Sequence, residues 1–196
     1  MELVTFLALV LLFLLPFVLG ADTHTNTHPH QKKEIVLSSG VKCELDYVST
    51  ETTANSKGSI LLLHGSKFDA DTWVETGTLA FLAENGYHAF AINLPGWGST
   101  TKLSSKDVPR DFLKSVMEAL GITKPALISP SMSGHFSIPF VEAYTFLLSS
   151  FIPVAPVFPP KFEEDAQIML PALVVWGSLD LSGRSSSRKK NRLLSG

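Results

Sequence analysis

The stretch ALISPSMSGHF, residues 126–136, combines a short apolar run, a turn of small residues and the start of a helix. Ser131 lies at the turn, with the small residues Ser129 and Ser133 two positions to either side. A sharp strand-to-helix turn can hold a nucleophilic serine clear of a sheet, and its packing requires small residues there, usually glycines in the pattern G-x-S-x-G. Serine fits the space but costs more strain than glycine in unusual backbone angles. Ser131 is therefore a candidate nucleophile, and the alternative is that these serines only cap the helix.

Short apolar runs alternate with helical patterns on both sides of this stretch. Strands are predicted at 34–48 (two strands joined at Ser39 and Gly40), 58–65, 87–93, 125–130, 150–158 and 170–177, and helices at 71–87, 107–121 and 133–148. Continuous apolar strands are typical of parallel sheets that are covered on both faces. The alternation predicts an α/β fold with a doubly wound, mostly parallel sheet, in which functional residues lie at the carboxyl ends of strands.

The residues that follow the predicted strands suit acyl transfer. A serine hydroxyl needs a base, a group that orients the base, and N–H donors aimed at the developing oxyanion. The strand in LLLHGSKF, residues 61–68, ends in His-Gly, so the backbone N–H of Met132 and one from Ser66 or Lys67 are the candidate donors. Asp180 follows the last predicted strand and is the candidate acid.

The chain resembles the α/β-hydrolase domain-containing protein 14 family. The matching stretches are LLLHGSKF, DTWVETGTLAFLAENGYHAFAINLPGWGST, ISPSMSG, FIPVAP and PALVVWGSLD, which cover most of residues 58–180. The resemblance implies an α/β-hydrolase fold, with Ser131 as the nucleophile and Asp180 as the triad acid. The serine-for-glycine turn is itself similar to that of the family. Asn93 stands where an aspartate is common, and the hydrophobic N-terminus favours the membrane-anchored branch.

The histidine of the triad is missing from its usual place. The family carries it beyond the acid, whereas all six histidines of this chain precede Asp180. His64 and His88 are interpreted as structural, and His135, one helical turn past Ser131, is the remaining candidate base. We therefore expect a chain that is truncated at its C-terminus relative to the family, without the last strand and helix, with 181–196 as an alternative terminus.

The segments outside the predicted domain have distinct compositions. Residues 3–19 are apolar and uncharged, and as a helix they would span about 26 Å, the lower limit for a bilayer. They predict a single-pass signal-anchor in the secretory pathway, or a signal peptide cleaved after Gly20. The expected organisation is a hydrophobic segment 1–20, a polar linker 21–33, an incomplete hydrolase domain 34–180 and a basic, disordered tail 181–196.

Composition narrows the function further. A net charge of -2 excludes a broad nucleic-acid surface, and no metal or nucleotide signature is present, so we expect no cofactor and no nucleic-acid partner. The predicted activity is hydrolysis or transfer of a small acyl group from an ester, thioester or amide, by a chain tethered through residues 3–19. The alternative is a non-catalytic binding or regulatory protein that keeps the pocket. The sequence identifies neither the substrate nor a protein partner.

Overall fold

A six-stranded sheet forms the centre of the computed structural model, which describes residues 28–51, 55–103, 110–157 and 170–176. Its strands are β1 (Gln31–Val36), β2 (Lys42–Ser49), β3 (Ser59–Leu62), β4 (His88–Ile92), β5 (Ala126–Pro130) and β6 (Ser150–Val154). The strand order is β1-β2-β4-β3-β5-β6. The hairpin of β1 and β2 and the pair of β2 with β4 are antiparallel, and all other neighbours are parallel. The predicted mostly parallel α/β fold is confirmed.

The central strands bury side chains on both faces of the sheet. In β4, Phe90 and Ile92 join one apolar cluster, while Ala89 and Ala91 join another on the opposite face. The helices are α1 (Asp71–Glu75), α2 (Thr78–Glu84), α3 (Phe112–Leu120) and α4 (Gly134–Tyr144). Helix α2 covers the second face, and α3 and α4 cover the first. Since neither face meets water, the strands need no alternation of polar residues.

Two segments differ from their predicted structure. The helix expected at 71–87 is divided into α1 and α2, because Gly77 has a φ of 70°. This left-handed conformation interrupts a right-handed helix and suits glycine. The strand expected at 170–177 makes only isolated parallel bridges to β6, Phe151 to Ala172 and Val154 to Val175, within its described residues 170–176.

The prediction of a membrane anchor is wrong. Within the described ranges, no helix is long and apolar enough to cross a bilayer, and the longest, α4, has 11 residues. This finding contradicts the predicted transmembrane signal-anchor and the single-pass membrane localisation. Residues 3–19, on which both rested, and the tail 181–196 lie outside the described residues.

Candidate active site

Ser131 lies at a sharp turn between β5 and α4. Pro130 ends the strand with extended backbone angles, Ser131 has a φ of 51°, and a 3-10 turn over Ser131–Ser133 leads directly into α4. A positive φ is unfavourable for a residue with a side chain and costs about 1–3 kcal/mol. The turn leaves Ser131 exposed above the carboxyl end of β5. This is the geometry of a nucleophile elbow.

Serines fill the space beside Ser131 that glycines usually occupy. The hydroxyl of Ser129 lies 2.9 Å from that of Ser133 and 2.6 Å from that of Ser137, and the Ser133 hydroxyl donates to the Pro130 carbonyl over 2.7 Å. All three serines are fully buried. Ser133 has ordinary helical angles, so the expected strain at this position is absent. The hydroxyls satisfy one another, which removes the cost of burying them without partners.

The segment after β6 holds the turn from one side. The N–H of Val157 donates to the carbonyl of Ser131 over 2.8 Å. Gly134, the first residue of α4, lies so close to Val157 that an added Cβ would collide with the Val157 carbonyl oxygen. Sequence reasoning gave Gly134 no role, although its position directly after the small-residue pattern was a signal that the backbone is approached closely there.

The turn after β3 lies on the other side of Ser131. A Cβ built on Gly65 would lie 3.6 Å from Cβ of Ser131. The N–H of Phe68 donates to the Gly65 carbonyl over 3.1 Å, and the Trp97 indole donates to the Ser66 carbonyl over 3.2 Å. The carbonyls of this turn are therefore anchored.

The three predicted oxyanion donors lie in two turns. Met132 belongs to the turn after β5, and Ser66 and Lys67 belong to the turn after β3. Within the part of the chain that the structure describes, the N–H groups of Ser66 and Lys67 have no hydrogen-bond acceptor. The N–H of Met132 belongs to the first turn of a helical segment, where N–H groups lack intrahelical acceptors. All three groups therefore remain candidate donors.

His64 connects the loops that follow β3 and β4. Its Nδ1 donates to the Gly65 carbonyl over 2.9 Å, and its Nε2 accepts the N–H of Leu94 over 3.0 Å. Burial lowers the pKa of His64 and outweighs the opposing effects of the Gly65 carbonyl and Asp69. Both ring nitrogens of a neutral imidazole are then used, so His64 is unsuited to accept a proton from Ser131.

Among the described residues, no hydrogen bond joins the candidate base His135 to Ser131. His88 lies in β4 with its ring 4.1 Å from that of Phe90, and His135 is exposed on α4. No side chain of the described residues hydrogen-bonds the Ser131 hydroxyl. Asp180 lies outside the described residues.

A buried carboxylate explains the asparagine at position 93. Oδ2 of Asp46 accepts hydrogen bonds from Asn93 Nδ2 (2.9 Å), from the Ser99 N–H (2.8 Å) and from the Ser99 hydroxyl (3.0 Å). The amide Oδ1 of Asn93 accepts the N–H of Ala70 over 2.8 Å. Burial alone would raise the pKa of Asp46, but the hydrogen bonds from Ser99, His30 and Asn93 lower it. An aspartate at 93 would place two carboxylates against each other.

His30 completes this network, which sequence reasoning missed because it assigned the residue to a solvated linker. Its Nδ1 lies 2.7 Å from Oδ1 of Asp46, and its Nε2 lies 2.9 Å from Oδ1 of Asp71. The hydrogen bond to Asp46 is the main cause that raises the pKa of His30, although burial opposes it and Asp71 adds to it. The protonated ring can donate to both carboxylates, which ties the start of β1 to β2 and α1.

Comparison with known proteins assigns the family. No protein-family model matches the chain. Zebrafish (Danio rerio) ABHD14A is 42% identical over 137 residues, which are 66% of this chain and 50% of that protein. Human ABHD14B, whose name describes it as a candidate protein-lysine deacylase, is 40% identical over 141 residues, 68% of this chain and 67% of that protein. The chain belongs to the ABHD14 family.

The ABHD14 chain spans about half the length of its ABHD14A relatives and two thirds of human ABHD14B. Identities to the ABHD14A relatives range from 32% to 42% and those to the ABHD14B relatives from 39% to 41%, so the two ranges overlap and identity does not assign a branch. Among solved structures, a CIB-like hydrolase from Thermoplasma acidophilum superimposes with a TM-score of 0.66 at 22% identity, over 82% of each chain. A probable hydrolytic enzyme from Pseudomonas aeruginosa superimposes with a TM-score of 0.57 at 24% identity, over 70% of this chain and 44% of that one. Both similarities confirm the α/β-hydrolase fold.

Proposed function

We propose that this ABHD14 chain is a serine hydrolase that removes or transfers a small acyl group through Ser131. The observation that carries the proposal is the left-handed φ of 51° at Ser131, exposed on a turn between β5 and α4. A protein accepts such strain at a functional site when the surrounding structure maintains it. Here the buried serines and the Val157 segment provide that support.

Each proposed residue has one step to perform. The Ser131 Oγ attacks the acyl carbonyl carbon, and the N–H of Met132 together with that of Ser66 or Lys67 donates to the oxygen that becomes negative. Asp180 would orient the base that takes the Ser131 proton. The base then gives this proton to the leaving alcohol, thiol or amine, as its bond to the acyl carbon breaks and an acyl ester of Ser131 forms. The substrate class is an ester, thioester or amide, and the name of human ABHD14B favours an amide on a lysine side chain.

The described residues offer no base for Ser131. His64 is used by two backbone groups, and no described side chain contacts the Ser131 hydroxyl. This observation favours a second candidate function, a non-catalytic protein that binds an acyl ligand in the same place. The predicted shortening at the C-terminus remains a prediction.

Labelling of the purified full chain with a fluorophosphonate probe tests the proposal, because the probe reacts only with an activated serine. Ser131→Ala is the test variant. Ser56→Ala is the matched control, since Ser56 is also exposed but lies in the turn before β3. We expect labelling that Ser131→Ala abolishes and Ser56→Ala leaves unchanged. No labelling of a chain that unfolds cooperatively on heating would reject catalysis and support the binding function.

A further inference from the structure

Two exposed apolar residues belong to the segments that contact the Ser131 turn. Within the described part of the chain, the exposed large hydrophobic residues are Val36 (57%), Phe68 (49%), Phe146 (67%) and Val157 (42%). A single exposed apolar residue on a protein surface needs no explanation. Phe68 and Val157, however, belong to the two backbone segments that contact the Ser131 turn. Two exposed apolar residues at one place on the surface need an explanation.

Phe68 lies near Ser131, on the same side of Gly65. A Cβ built on Gly65 would lie 3.4 Å from Cδ2 of Phe68 and 3.6 Å from Cβ of Ser131. The Phe68 ring and the Ser131 side chain therefore both lie within van der Waals distance of the position that a Cβ on Gly65 would occupy. The hydrogen bond from the Phe68 N–H to the Gly65 carbonyl closes the turn and fixes the backbone that carries the ring. About half of the side chain remains available to a ligand.

Val157 reaches the same serine from the opposite direction. Its N–H donates to the Ser131 carbonyl, and its carbonyl oxygen packs against Gly134. Phe68 follows β3 and Val157 follows β6, and β5 lies between these two strands in the sheet. Phe68 and Val157 thus belong to segments on opposite sides of β5, which ends just before Ser131.

We infer that Phe68 and Val157 are the specificity-determining walls of an acyl-chain site at Ser131, which favours apolar acyl groups longer than acetyl. The inference rests on the proposed function, because it assumes that the acyl carbonyl is presented to Ser131. Each methylene group that the two walls remove from water tightens binding by about fourfold, the equivalent of about 0.8 kcal/mol. An acetyl group has no methylene to place between the walls, whereas a butyryl or hexanoyl group has several.

A second apolar surface provides the competing location. A groove of about 660 Å³ lies between the end of α3 and the 3-10 turn Thr145–Leu147, and Phe146 is one of its lining residues. It lies at the opposite end of the sheet, because Phe146 precedes β6 whereas Ser131 follows β5. Phe146→Ala therefore removes a phenyl group that is more exposed than that of Phe68 but lies away from Ser131.

Binding is measured on the full chain carrying Ser131→Ala, which cannot be acylated, so the result is independent of catalysis. The ligands are the methylamides of N-acetyl-, N-butyryl- and N-hexanoyl-lysine. The indole N–H signal of Trp97 in NMR spectra reports binding, because this group hydrogen-bonds Ser66 in the turn that carries Phe68. We expect the Kd to fall at least tenfold from the acetyl to the hexanoyl ligand.

Three further substitutions test whether the acyl chain binds at Phe68 or at the groove beside Phe146. Phe68→Ala is expected to abolish most of the chain-length dependence, Phe68→Leu to retain it, and Phe146→Ala to leave it unchanged. A Kd independent of chain length, or a loss on Phe146→Ala instead of Phe68→Ala, would overturn the inference. Failed fluorophosphonate labelling with intact chain-length dependence would reject catalysis alone, whereas Ser131-dependent labelling without that dependence would reject the acyl site alone.

Discussion

Asn93→Asp tests whether the buried carboxylate of Asp46 determines the residue at position 93. The amide nitrogen of Asn93 donates to Asp46 over 2.9 Å, and its oxygen accepts the N–H of Ala70 over 2.8 Å. Both side chains are buried. The substitution preserves the size of the side chain and the acceptor for Ala70, but it turns a carboxylate oxygen toward Asp46.

Two responses to this change compete at neutral pH. If both carboxylates stay charged, repulsion across 2.9 Å costs about 6 kcal/mol at an effective dielectric constant of about 20. If one takes up a proton, keeping an acid of ordinary pKa (about 3.9) protonated at pH 7 costs about 4 kcal/mol, and the new O–H restores the hydrogen bond. Protonation has the smaller cost, so we expect a loss of about 4 kcal/mol at pH 7 that falls to about 1.5 kcal/mol at pH 5.

Urea unfolding followed by tryptophan fluorescence measures this loss at pH 5, 6 and 7. Each variant is compared with the wild type at the same pH, which removes the titration of groups that are not coupled to Asp46. Asn93→Ala is the control: it leaves buried polar partners without hydrogen bonds and should lose about 2 kcal/mol or more with little dependence on pH. An Asn93→Asp loss that stays constant with pH, or one below about 1 kcal/mol at pH 7, would refute the reasoning.

Three further outcomes are expected in urea unfolding. Gly134→Ala should destabilise by about 1–3 kcal/mol, because the clash with Val157 outweighs a helix-propensity gain of about 0.5–1 kcal/mol; a stabilised variant would contradict the close approach. The raised pKa of His30 adds stability that is complete below pH 6.5 and is lost as the pH rises through its folded value. His30→Ala should thus cost more at pH 5.5 than at pH 8, and the reverse order would exclude a stabilising role for the His30 hydrogen bonds to Asp46 and Asp71. Ser129→Ala should cost about 1–3 kcal/mol by leaving buried hydroxyl partners unpaired, and a neutral effect would argue against the serine cluster.

Local patterns in the sequence were sufficient to predict the fold and the candidate nucleophile. The apolar runs of β3 to β6 are recognisable because each strand is buried on both faces. The small residues around Ser131 describe a turn within a few neighbouring positions, so the pattern is visible without the fold. Gly77 was overlooked because an isolated glycine is tolerated in a helix, and only its φ of 70° in the structure separates α1 from α2.

The features that sequence reasoning missed depend on residues far apart in the chain. The network around Asp46 joins His30, Asp71, Asn93 and Ser99, and no spacing in the sequence relates these positions. The departure from aspartate at 93 could be noticed but not explained until Asp46 was located beside it. His30 lies next to a polar, aperiodic segment, so composition placed it in the linker.

The hydrogen bond from the Val157 N–H to the Ser131 carbonyl has a consequence for when the turn forms during synthesis. During synthesis the ribosome releases Ser131 and the residues of α4 before it releases β6 and Val157. Until then, the hydrogen bond that secures the Ser131 carbonyl has no donor, and a strained φ without support relaxes. The turn that holds Ser131 can therefore become set only once the neighbouring strand β6 has docked.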